Sequence, residues 1–155
     1  MQQEKGHTWI IGYGNPHRRD DGIGGCIVQK LNRILKEREK VTIRASHQLD
    51  PALIDELQSA DRIILVDATV DELQEGWRCV RVHPESGRLP FSMHHFRPPL
   101  LLGLLQSLYH RCPETWLFTV QGSDFGYGKG LSREAEERVE KASKAIAAFV
   151  SAQTH

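Results

Sequence analysis

Short apolar runs alternate along this chain with segments whose apolar residues keep helical spacing. Parallel strands joined by right-handed crossover helices satisfy such an alternation. The sequence therefore predicts an α/β fold: a three-layer α/β/α sandwich on a mostly parallel, five-stranded twisted sheet. Residues 8–12 (TWIIG) read as a buried strand running into a glycine turn, and residues 41–45 as a second strand. Residues 63–66 are apolar throughout and bounded by charge, as in a strand covered on both faces. Residues 77–83 alternate in polarity and read as an edge strand, and residues 115–120 supply the fifth. Between the strands, residues 22–39 carry Ile23, Ile27, Leu31, Ile34 and Leu35 at helical spacing, with Asp20 or Asp21 placed to cap the start. Asp50-Pro51 opens a short helix with an acidic cap and a proline at the first helical position. Pro98-Pro99 leads into a helix over residues 100–109. Ser132 starts the last helix, which sets Ala135, Val139, Ala142, Ile146 and Phe149 along one face. Strand order stays open at this level.

A length of 155 residues suits a single domain spanning 1–155, with enough chain to fold without a metal or disulfide. Lys plus Arg and Asp plus Glu each number 20, so the formal charge is zero. That balance argues against a nucleic-acid partner bound through a broad basic field and against a polybasic membrane anchor. The longest apolar stretch, residues 100–105, is too short to span a bilayer, and residues 1–7 are polar with no apolar signal segment. Cys26, Cys79 and Cys112 are odd in number and scattered, which fits reduced thiols. A cytoplasmic monomer is expected.

In parallel α/β sheets, ligands bind beyond the carboxyl ends of the strands. After the first strand comes Gly12-Tyr13-Gly14-Asn15-Pro16-His17-Arg18-Arg19-Asp20-Asp21-Gly22-Ile23-Gly24; after the third comes Asp67-Ala68-Thr69; ahead of the apolar helix stands Ser92-Met93-His94-His95-Phe96. The first loop is not a dinucleotide fingerprint, because G-x-G-x-x-G needs glycine at His17. Gly128-Lys129-Gly130 also lacks the spacing of a phosphate loop. Gly12 and Gly14 suit unusual backbone angles, Asn15-Pro16 suits a turn, and Asp20 suits a helix cap that asparagine could replace. Asp21 then remains free for chemistry. Asp67 follows an apolar strand, where an acid must be solvated, paired or functional. If the first and third strands are neighbours, Asp21 and Asp67 converge on one edge, within reach of His94. Two carboxylates and an imidazole form an open O, O, N set suited to a borderline divalent ion.

Taken together, these motifs resemble the [NiFe]-hydrogenase maturation endopeptidases. The resemblance lies in the glycine loop from Ile11 to Gly24, in Ile63-Ile64-Leu65-Val66-Asp67-Ala68, and in the histidines of Ser92-Met93-His94-His95-Phe96. It implies a twisted sheet flanked by helices and an endopeptidase that removes the C-terminal extension of a hydrogenase large-subunit precursor after nickel insertion. The metal-contacting positions it implies are Asp21, Asp67 and His94, with His95 competing for the third. Asp21 or Asp67 serves as general base. Gly14 and Asn15 in the first loop are its substrate-binding positions. The segment Ala45-Ser46-His47-Gln48-Leu49-Asp50-Pro51 departs from the Gly-Thr segment of many members and is similar to the subgroup serving cytoplasmic, multisubunit hydrogenases. His47 and Gln48 become candidates for substrate contact or, equally, a polar lead into the short helix. The implied ion is nickel presented by the substrate, with zinc or cadmium able to occupy the same ligands in vitro. No nucleophile elbow or activated cysteine points to another mechanism. A non-catalytic nickel-sensing module and a nucleotide-binding domain are the competing classes.

Overall fold

The structure, a computed structural model, describes residues 6–85 and 96–152. Five strands form one sheet: β1 (Thr8–Tyr13), β2 (Val41–Ser46), β3 (Arg62–Thr69), β4 (Trp77–Val82) and β5 (Glu114–Gln121), in the order β2-β1-β3-β5-β4. The pairs β1–β2, β1–β3 and β3–β5 are parallel, and β4 runs antiparallel to β5 at one edge. This is the expected mostly parallel sheet with residues 77–82 at its border.

Helices cover both faces. Ile10, Ile64, Val66, Phe118 and Val120 point toward α1 (Ile23–Ile34) and α4 (Arg133–Ala152). Trp9, Ile11, Ile63 and Leu65 point toward α2 (Leu53–Leu57) and α3 (Pro98–Tyr109). The alternation of even and odd strand residues thus assigns each core to one side of the sheet. In α3 the whole run from Leu100 to Leu105 is buried, because the helix lies under β4's exit segment as well as on the sheet. Ser132 caps α4 as expected, its hydroxyl accepting from the Ala135 amide at 3.2 Å.

The helix expected over residues 22–39 ends earlier, at Ile34. Leu35, at its C-cap, turns into the core at 5% exposure, whereas Ile34 is 51% exposed. Neither Asp20 nor Asp21 caps α1; Gly22 holds the cap position with no side-chain bond. Both acids belong instead to a single 3₁₀ turn, Arg19–Gly22.

The glycines of the first loop have different reasons to be glycine. Gly14 has φ +143, and a Cβ there would meet the Asp21 carbonyl at 1.9 Å. Gly12 lies inside β1 and is fixed by packing, since its Cβ would stand 2.2 Å from the Gly24 carbonyl. Close contact of α1 with β1 therefore rests on Gly12 and Gly24 facing each other. Gly25 has no such reason: no atom outside its own helix backbone and chain neighbours comes within 4 Å of the place its Cβ would take. A glycine inside a helix costs about 1 kcal/mol relative to alanine. No described helix is long and apolar enough to cross a membrane, and the three cysteines are unpaired.

Candidate functional site

The sheet order makes β1 and β3 neighbours, which brings their carboxyl ends together. Asp21 stands on the 3₁₀ turn that follows β1, its Oδ2 accepting the Asn15 amide at 2.7 Å. Asp67 lies within β3, two residues before the strand ends, and its Oδ1 accepts the Ala68 amide at 2.8 Å. Burial, then the nearby Asp21 charge, push the Asp67 carboxyl up from 3.8 to about 7, against the Ala68 amide and the Tyr13 hydroxyl, which favour its ionised form. The convergence expected of Asp21 and Asp67 is present.

Two neighbours of Asp67 were not anticipated. Tyr13 reads in the sequence as a loop residue between two glycines, yet it ends β1 and its hydroxyl donates to the Asp67 carboxylate. Burial, followed by the Asp67 charge, pushes the Tyr13 phenol well above its ordinary range, so it stays a donor. Thr119 lies opposite Asp67 in the β3–β5 register, and its buried hydroxyl has no hydrogen-bond partner among the described residues. In-register residues of adjacent strands share a face, so Thr119 stands beside the carboxylate. No sequence pattern marks either residue, because each acts across strands.

Asp20 has a different role from the one expected. Its fully buried carboxylate accepts from the amides of Ser123 (2.7 Å), Asp124 (2.9 Å) and Ser132 (2.7 Å), and from the Ser132 hydroxyl (2.6 Å). Burial opposes its charge, but the bonds from Ser132, Ser123 and Asp124 outweigh that and hold the carboxyl below its usual value. Asp20 therefore ties the turn carrying Asp21 to the loop between β5 and α4. The bridge between Arg18 and Gly128 and the stacking of Arg18 on Tyr127 join the same two loops.

The other expected positions are spread around this edge. Gly14 is a backbone necessity, its amide donating to the Ser46 carbonyl at 3.1 Å. The Asn15 amide is taken by Asp21, and its side-chain oxygen accepts from the His17 amide at 2.9 Å. His47 and Gln48 are exposed in the bend after β2, ahead of α2, and His47 borders a groove between β2 and α1. His94 and His95 lie outside the described residues. Phe96, which follows them, packs in the core on the Asp67 face of the sheet. Among the described residues no three His, Cys, Asp or Glu side chains group to hold a metal.

The architecture is that of an α/β protein with an acidic pair at the carboxyl ends of two adjacent parallel strands. No family model and no curated protein matches the sequence. Solved structures do match it over nearly the whole chain. The [NiFe] hydrogenase maturation protease HycI from Thermococcus kodakarensis superposes with a TM-score of 0.72 at 19% identity, covering 96% of this chain and 95% of that one. The hydrogenase maturating endopeptidase HybD from E. coli gives 0.70 at 20% identity, covering 95% and 93%. A hydrogenase 2 maturation peptidase from a Thaumarchaeota archaeon gives 0.66 at 18% identity, covering 93% and 97%. The chain shares their fold.

Proposed function

We propose that this protein is an endopeptidase that removes the C-terminal extension of a [NiFe]-hydrogenase large-subunit precursor once nickel has entered that subunit. The observation carrying this reading is the pair Asp21 and Asp67, brought together on a fold shared with maturation proteases. Nickel arrives as part of the substrate and is met by Asp21, Asp67 and His94, or His95 in its place. Such an O, O, N set leaves positions open for ligands the precursor brings. Asp67 is the general base: partly buried near the end of β3 beside Asp21, its carboxylate is held where it can take up a proton. It takes a proton from the attacking water; the resulting hydroxide adds to the scissile carbonyl. The proton then passes to the leaving amine as the C–N bond breaks. The reaction belongs in the cytoplasm, where Cys26, Cys79 and Cys112 remain thiols.

Incubation with nickel-loaded precursor tests this reading. The expected result is a shortened large subunit and one released C-terminal peptide, both seen by mass spectrometry. Binding of the precursor without any loss of mass would instead mark a nickel-sensing module.

A further inference from the structure

A groove of about 530 Å³ runs between the flank of α1 and the outer strand β2 and reaches Gly14, beside the turn that carries Asp21. Its volume is in the range that accepts a ligand or a few residues of chain. Gly25, Gln29 and Asn32 line it from α1, Ile43 and Ala45 from β2, and His47 from the bend that follows. Among the described residues no Asp, Glu, Lys or Arg lines it, so it suits an uncharged segment.

The edge of β2 beside this groove is open. The Thr8 amide of β1 and the Gly14 amide just past its end donate to the carbonyls of Lys40 and Ser46. In a parallel pair the residues of a strand alternate in which neighbour their backbone groups address. Even-numbered residues of β2 therefore face β1, and Val41, Ile43 and Ala45 direct N–H and C=O outward. No described strand pairs with that side. Edge strands are commonly guarded by charge, but Arg44 is drawn away, paired with Glu56 and stacked over Trp9. Gly25 adds an independent observation: a helix-weakening residue with nothing of the protein filling its side-chain space, at the groove wall.

We infer that this groove seats the precursor segment flanking the scissile bond, extended as an added strand on the free edge of β2 with a side chain over Gly25. The inference rests on the reading of the chain as a processing protease and adds where that substrate lies. Strand addition supplies backbone bonds, and the groove accepts alternate side chains.

Two variants test it with wild-type protein alongside. Ala45→Pro removes an outward N–H while sparing the bonds to β1, a position where sheets tolerate proline. Gly25→Leu places a side chain in the groove from a Cβ position that no atom outside its own helix backbone and chain neighbours approaches within 4 Å. Each is expected to melt no more than a few degrees from wild type and to lose at least tenfold in kcat/KM on nickel-loaded precursor. Amide shifts in labelled protein, titrated with a synthetic peptide spanning the cleavage site, should centre on Ile43, Ala45 and His47. Folded variants that process at the wild-type rate would overturn the groove while leaving the proteolytic reading intact. If wild type does not cut, the peptide titration still decides: shifts along β2 support the groove and their absence refutes it. Self-association that shifts Ile43 and Ala45 without peptide would put a second copy on this edge, and would also overturn the proposal.

Discussion

Asp67→Asn is expected to lower processing of nickel-loaded precursor by about a thousandfold or more, the scale of a lost general base, while making the folded protein more stable at pH 8. Burial and the Asp21 charge raise the Asp67 carboxyl from 3.8 to about 7 in the fold. Between those two values the folded protein holds a proton that the unfolded chain has released. Wild-type stability therefore falls as pH climbs from about 4 to about 7, then levels. Asparagine keeps the shape and an acceptor for the Ala68 amide but has no charge to bury. The gain at pH 8 is about 2 to 4 kcal/mol, and it vanishes near pH 4. Urea melts at both pH values read this directly. An asparagine variant less stable than wild type at pH 8 would contradict the account of Asp67.

Asp20→Asn is expected to be damaging, although a simple helix cap would tolerate it. Three of the four bonds to Asp20 end on Oδ2, from the amides of Ser123 and Asp124 and the hydroxyl of Ser132; the Ser132 amide ends on Oδ1. Asparagine has one acceptor oxygen, so even with that oxygen on the Oδ2 side its amide nitrogen faces the Ser132 amide, and two donors meet with no acceptor between them. Each buried donor left without a partner costs about 1 to 3 kcal/mol. A loss of about 3 to 5 kcal/mol follows, with the loop between β5 and α4 released and Asp21 displaced. Because the Asp20 carboxyl is held below its usual value, this stabilisation is present above the unfolded pKa of 3.8 and fades as pH falls below it. Denaturant melts and limited proteolysis at residues 122–131 measure it. A variant with wild-type stability and an uncut loop would show that the four bonds do little.

The difference between these two acids shows what the sequence could reveal. Asp67 stood out because residues 63–66 are a continuous apolar run, and an acid directly after such a run must be solvated, paired or functional. The strands and helices were legible for the same reason: periodicity is local. Asp20 was misread because an acid just ahead of a helical run is also the local pattern of a cap. Its true partners, Ser123, Asp124 and Ser132, are more than a hundred residues away. Tyr13 and Thr119 escaped for a related reason, since their contact with Asp67 depends on which strands are neighbours. Strand order is a property of crossovers, which the pattern of apolar residues leaves open. The boundary at Ile34 was missed because Ile34 and Leu35 fit helical spacing equally well, and only packing chooses between them.

In the proposed function, nickel in the substrate, rather than a metal kept by the protease, licenses cleavage. Binding energy from Asp21 and Asp67 would then reach the reacting bond only when the ion comes with the precursor. The decisive measurement is the mass of the large subunit after incubation of two precursor preparations, nickel-loaded and nickel-free, with protease preincubated in zinc. The account predicts loss of the C-terminal peptide from the nickel-loaded precursor alone. Equal cleavage of the nickel-free precursor would contradict it and make Asp21 and Asp67 ligands of a resident metal.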